Sequence, residues 1–169
     1  MIAYRHGHRP LHEYLRLHAR RTPDRAAVVW YGRRISWAEL DDLSDRFAQS
    51  LRDRGIGQGD VVALFLHNCP QYLIAHFGVQ KLGAIVSPCN PDAQAYELEH
   101  QLSELDASAI VAGEELLKVV LGSHAMRTVA HVYAVRCGDM LPATLAMVVP
   151  PCPRLPHEGA PPPPACTTR

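Results

Sequence analysis

Between residues 61 and 121 one unit repeats: a short apolar run, a turn, and a segment with helical character. The apolar runs are VVALFL (61–66), AIVSP (84–88) and SAIVA (108–112); the helical segments are QYLIAHFGVQKL, AQAYELEHQLSEL and EELLKVV. An apolar run with no polar alternation has no face to offer water, so each reads as a buried strand covered on both sides. Strands separated by helices are joined by right-handed crossovers and lie parallel. The repeat therefore specifies an α/β fold, a parallel sheet flanked by helices. VAHVYAV (129–135) reads as one further strand.

The residues around these units supply starts and stops. In PLHEYLRLHARRTPD, Leu11, Tyr14, Leu15 and His18 share a helical face, and Thr22-Pro23 ends the helix because a residue before proline avoids helical dihedrals. AAVVWYGRRISW is a hairpin turning through Gly32. Ser36 and Glu39 have the spacing of a capping box, followed by a stripe of Trp37, Leu40, Leu43, Phe47 and Leu51 that Gly55 terminates. Asn68 with Pro70 fits the start of the next helix, Gly83 its end, and Asp92 the cap of the one after. Two regions result: a folded unit over residues 8–136 and an irregular, Pro-rich tail over 137–169, expected to be disordered because it lacks both backbone donors and apolar area.

Composition excludes several roles. Lys plus Arg equal Asp plus Glu at 17 each, and no basic face is clustered, so nucleic acid is not an expected partner. No stretch approaches the roughly 18 apolar residues of a spanning helix, and the N-terminus has no signal-peptide core. The five cysteines lie scattered without CxxC spacing, which reads as reduced thiols in a cytoplasmic protein.

Three phrases, taken in order, resemble one family. ISWAELDDLSDRFAQSLRDRGIGQGDVVALFL (35–66), NCPQYLIAHFGVQKLGAIVSPCNP (68–91) and ELEHQLSELDASAIVAGEELL (97–117) are similar to the N-terminal subdomain of adenylate-forming, AMP-binding enzymes. Asn68-Cys69-Pro70-Gln71 and Asn90-Pro91 resemble the fatty-acyl-CoA synthetases more than the peptide-synthetase branch. The resemblance implies carboxylate adenylation by ATP, followed by thioester formation with coenzyme A. It also implies a Ser/Thr- and Gly-rich phosphate loop, Mg²⁺ and a late lysine. Where that loop is expected, soon after residue 135, the chain reads GDMLPATLAMVVPPCPRLPHEGAPPPP. No catalytic, cofactor-binding or metal-binding residue is therefore assigned, and ATP, Mg²⁺ and CoA are expected only of the full-length family.

The expectation is a truncated acyl-CoA synthetase fragment, inactive alone. Two alternatives stand beside it: a non-catalytic binding or regulatory protein that associates with an intact synthetase, and an enzyme completed by a second polypeptide. A sheet without its later strands exposes an edge and an apolar face, so low solubility is expected. The Pro161–Pro164 run reads first as out-of-frame translation of a GC-rich gene and second as a polyproline ligand.

Several residues invite sharper readings. Gly55-Ile56-Gly57-Gln58-Gly59-Asp60 looks like a phosphate loop, but it precedes a strand, so it reads as a turn. His6, His8 and His12 have ligand-like spacing without acidic or thiol partners, and read as solvated. His67 and His76 read as core or edge histidines with backbone partners. Cys69, at a helix start where its thiol pKa would fall, has no evident base. Trp30, Trp37, Tyr72 and Phe77 read as core.

Overall fold

The computed structural model describes residues 7–124 and 129–142. Its elements are α1 (Leu11–Arg21), the β1–β2 hairpin (Ala26–Trp30, Arg33–Ser36), α2 (Trp37–Arg52), β3 (Val61–Phe65), α3 (Pro70–Lys81), β4 (Ile85–Pro88), α4 (Ala95–Glu104), β5 (Ala109–Gly113), α5 (Leu117–Gly122) and β6 (His131–Val135). A 3-10 turn over Glu114–Leu116 leads into α5, and another over Cys137–Met140 follows β6. Most of the chain beyond residue 136 lies outside the described residues.

β3 to β6 form one parallel sheet in the order β4-β3-β5-β6. The chain moves from β3 outward to β4, crosses back to β5 and continues to β6. Right-handed crossovers then place α3 on one face and α4 with α5 on the other. The core follows this division. Val62, Leu64, Ala109 and Val111 pack with Leu51, Ala75 and Val79 of α2 and α3. Ala63, Phe65, Ile110 and Ala112 pack with Leu98, Leu102, Leu117 and Val120 of α4 and α5. Two-sided cover is why β3 and β5 read as unbroken apolar runs. β4 departs from that expectation: among the described residues only β3 pairs with it, which leaves it an edge strand with Ile85 53% exposed.

A third cluster joins α1, the hairpin, α2 and α3 through Leu15, Ile35, Leu40, Leu43 and Ile74. In the hairpin, Tyr31 and Gly32 both have positive φ, 46° and 87°, the twist-compatible geometry of a two-residue turn. α2 and α3 cross closely at Gly78, where a Cβ would sit 2.8 Å from Phe47 Cδ1 and 3.0 Å from the Ser44 carbonyl oxygen. A side chain there would force the helices apart.

The three helices that lead into β3, β4 and β5 end alike. After α2, Gly55 N–H bonds Arg52 O and Ile56 N–H bonds Leu51 O; after α3, Gly83 and Ala84 do the same with Gln80 and Val79. After α4, Asp106 and Ala107 repeat the pattern with Ser103 and Leu102. These are Schellman motifs, and the accompanying apolar pairs Leu51–Ile56, Val79–Ala84 and Leu102–Ala107 are all buried. Asp106 (φ 48°) takes the left-handed position that glycine fills elsewhere. Asp106→Gly is expected to stabilise the fold by about 0.5 kcal/mol, and Gly55→Ala to cost about 1 kcal/mol. Urea midpoints for both variants check this; destabilisation by Asp106→Gly would contradict it.

Three caps differ from the sequence reading. Ser36 Oγ accepts the Glu39 amide at 3.1 Å, but Glu39 does not reach back. Its carboxylate pairs with Arg33 at 2.9 Å instead. The first two α2 amides, of Trp37 and Ala38, donate to Arg25 O and Pro23 O. The complete capping box lies at α4, between Gln94 and Glu97, and Asp92 stands before it, donating its amide to Asn90 Oδ1. At α3 the N-cap is Cys69, not Asn68, with Pro70 in the first turn.

Candidate functional site at the carboxyl edge of the sheet

β3 and β5 are neighbours whose onward connections run in opposite directions, so a topological switch point lies between their carboxyl ends. In open α/β sheets that crevice is where ligands bind. Three strand exits converge on this edge: Leu66–Cys69 after β3, Gly113–Glu115 after β5, and Arg136–Met140 after β6.

Side-chain bonds tie the exits together. Gln71, buried in the first turn of α3, donates from Nε2 to the Arg136 carbonyl at 2.5 Å, while its Oε1 has no partner among the described residues. The Arg136 guanidinium forks onto Glu114, with Nη2 3.2 Å from Oε1 and Nε on Oε2. Met140 is buried against the cluster under the hairpin, and Arg33 reaches its Sδ at 3.7 Å. The packed fold thus continues past Arg136. Burial raises the Asp139 carboxyl above its usual range; Arg136 opposes this and Glu114 reinforces it.

Two thiols stand at this edge: Cys69, buried, as the N-cap of α3, and Cys137, half-buried, at the start of the 3-10 turn after β6. The Cys69 pKa is lowered, first by Cys137; burial and the Glu115 charge oppose this, and the Tyr72 and Gln71 amides add to it. Cys137 is raised, first by Cys69 and then by burial. Sequence spacing gave no sign that both belong to one edge, since nothing local connects the exits of two non-adjacent strands. Cys89 is also buried, and burial pushes its pKa up to about 11.

The remaining candidates are dispersed. His8 is exposed, His12 is half-buried on α1, and His6 lies outside the described residues. Among the described residues no cluster of three or more His, Cys, Asp or Glu side chains is placed to hold a metal ion. His67 is exposed rather than core. His76 is half-buried, and among the described residues it has no backbone partner: its Nε2 lies 3.2 Å from Gln80 Nε2, its Nδ1 has no partner there, and burial lowers its pKa. Trp37 stacks on His18 with centroids 4.7 Å apart, and Trp30, Trp37, Tyr72 and Phe77 sit half-buried at the margins of the clusters.

The glycine turn that looks like a phosphate loop is committed to the fold. In the Gly55–Asp60 turn, Gly57 N–H donates to Asp60 Oδ2 at 2.7 Å and Gly59 N–H to Gly83 O at 3.1 Å. The first bond closes the turn on itself and the second ties it to Gly83, just ahead of β4. Lys81 is equally committed, its side chain 2% exposed between Asp41 and Asp45.

The described residues thus form a doubly wound α/β unit, with helices on both faces of a parallel sheet and its exits gathered at one edge. The chain belongs to the AMP-binding enzyme family, whose sequence pattern it matches over residues 15–164. It is 32% identical over 124 residues to a long-chain-fatty-acid–CoA ligase of Bacillus subtilis, covering 73% of this chain and 22% of that one. It is 30% identical over 110 residues to bacitracin synthase 1 of Bacillus licheniformis, covering 65% of this chain and 2% of that one. The N-terminal domain of FACL13 from Mycobacterium tuberculosis superposes with a TM-score of 0.69 at 25% identity, over 76% of this chain and 34% of that domain. The chain therefore spans less than a quarter of the length of the ligase it matches.

Proposed function

We propose that this chain is the opening scaffold of an ATP-dependent acyl-CoA synthetase and does not activate a carboxylate by itself. The observation that carries this reading is the commitment of the described polar groups to the fold. The turn amides at Gly57 and Gly59, the Lys81 ammonium and the Arg136 guanidinium all hold protein atoms. Adenylation needs free donors aimed at a phosphate where charge develops. In this reading ATP, Mg²⁺ and CoA are held by parts of the enzyme other than these residues, and the scaffold works in the cytoplasm on a fatty acid.

The test is release of AMP and pyrophosphate by the purified 169-residue chain, given ATP, Mg²⁺, CoA and fatty acids of several lengths. The expected result is no turnover above the no-enzyme control. Acyl-CoA formed in proportion to chain concentration would sink the proposal.

A second reading is favoured by the exposed edge strand β4 and its Ile85: the chain pairs there with an intact synthetase or with the rest of its own enzyme. Co-purification of a synthetase with the tagged chain, lost on Ile85→Lys, supports it. Unchanged recovery with Ile85→Lys counts against it.

A further inference from the structure

α1 carries a polar cavity that the scaffold does not use. Its walls are Arg9, Glu13, Arg16, Leu17 and Arg20, and its volume is about 280 Å³. Arg9, Glu13, Arg16 and Arg20 follow one another at intervals of four, three and four residues, so they share one stripe of the helix. The sequence reading found no clustered basic face because zero net charge over the whole chain hides this local excess of arginine. The helix dipole favours cations in the last turn, which accounts for Arg20, but disfavours one ahead of the first turn, where Arg9 stands. Helix stability alone therefore does not explain the gathering.

The guanidiniums are unequally engaged. Arg9 Nη1 lies 3.8 Å from Glu13 Oε2, and Arg16 Nη2 lies 3.3 Å from Asp45 Oδ1. Asp45 also meets Lys81 at the shorter distance of 2.9 Å, so Arg16 can turn to another anion without stranding that carboxylate. Arg20 is exposed and has no ion-pair partner among the described residues. His12, one turn before Arg16, registers the positive field. Burial lowers its pKa most and the Arg16 charge next; Glu13 opposes them and Lys81 adds to them.

We propose that this cavity is a binding site for a small phosphate-bearing anion, held chiefly between Arg16 and Arg20. Two guanidiniums one turn apart, about 6 Å along the axis, can each fork onto phosphate oxygens. The cavity is smaller than the roughly 300–1,000 Å³ of pockets that enclose whole drug-sized ligands, which suits a phosphate or pyrophosphate group. Leu17 is the one apolar residue in the lining, so the site has no surface to cover an acyl chain. Glu13 stands between Arg9 and Arg16 and would face any flat anionic surface laid along the stripe, whereas a small anion seats one turn further on. None of the lining residues belongs to a strand exit, so anion binding here is independent of what the carboxyl edge does.

The test is titration of the full 169-residue chain with sodium pyrophosphate, and separately with inorganic phosphate, at constant ionic strength and without metal ions. NMR of the arginine Nε–H groups and the melting temperature follow it. The expected result is a saturable shift of the Arg16 and Arg20 signals, with a pyrophosphate Kd below about 1 mM. The His12 pKa should rise as the bound charge offsets that of Arg16. Arg20→Gln should weaken binding about tenfold, the loss of one charge-assisted contact. Arg21→Gln removes a neighbouring charge outside the cavity and should change binding by less than about twofold. Both side chains are exposed, so unliganded melting should stay the same in the two variants. Signals that follow ionic strength rather than pyrophosphate, or equal weakening by the two substitutions, would overturn the proposal. So would binding to phosphatidic acid vesicles with none to pyrophosphate.

Discussion

Phe65→Ala is expected to lower stability by about 3–5 kcal/mol, a large share of the about 5–15 kcal/mol that a domain possesses. Phe65 is fully buried near the end of β3, packed with Ala63, Ile110, Leu98, Leu102 and Leu117. Removing the ring loses its transfer free energy and leaves a cavity between the sheet and the α4–α5 layer. Nothing nearby is free to collapse into it, because the walls are backbone-fixed strands and helices held by Schellman ends. The expected fall in melting temperature is roughly 10–20 °C. Val29→Ala, at a hairpin position 61% exposed, is the matched control and should change stability by less than about 0.5 kcal/mol. Equal melting of the two variants would mean that the helices do not pack on β3 as described.

Lys81→Met should cost about 2–3 kcal/mol, although methionine keeps most of the apolar stem. The ammonium at the end of α3 lies 2.6 Å from Asp41 Oδ1, 2.8 Å from Asp41 O and 2.9 Å from Asp45 Oδ1. Asp45 also receives Arg16 at 3.3 Å, so one lysine fastens α3 to α2 and, through Asp45, to α1. Loss of the charge strands the part-buried Asp41 oxygens without their donor. Because Asp45 is half exposed, water recovers part of its share, and the figure stays below that of a fully buried pair.

The same contacts give the fold an acid limb. Burial pushes the Asp45 carboxyl up, but the Lys81 hydrogen bond and charge, followed by those of Arg16, hold it below its ordinary value. A carboxyl depressed in the folded state stabilises above its unfolded pKa, and that contribution is lost as pH falls through the folded value. The loss should begin below about pH 4. Chemical denaturation at neutral and acid pH checks this. Wild type should lose the Asp45 contribution on acidification, and Lys81→Met should show a flatter acid limb. Parallel pH profiles for the two would exclude the Lys81–Asp45 contact as its source.

The amino-acid sequence by itself determined what depends on neighbours along the chain. The unbroken apolar runs at 61–66 and 108–112 marked strands covered twice, the Gly32 turn marked the hairpin, and Gly55 and Gly83 marked helix ends needing a left-handed residue. Each is a local conformational or burial requirement that one residue type satisfies. The phrases over 35–117 also pointed to the family that residues 15–164 match. Tertiary structure alone decided which strand lies at the edge: AIVSP reads as a buried strand like its neighbours, but the order β4-β3-β5-β6 leaves Ile85 half in water. It also decided that Glu39 serves Arg33 rather than its own helix, because the hairpin brings Arg33 within 2.9 Å and carbonyls from the preceding turn satisfy the first α2 amides. The bond from Gln71 Nε2 to the Arg136 carbonyl belongs to the same class. It arises because parallel strands deliver their exits to one edge, however far apart those exits lie in the chain.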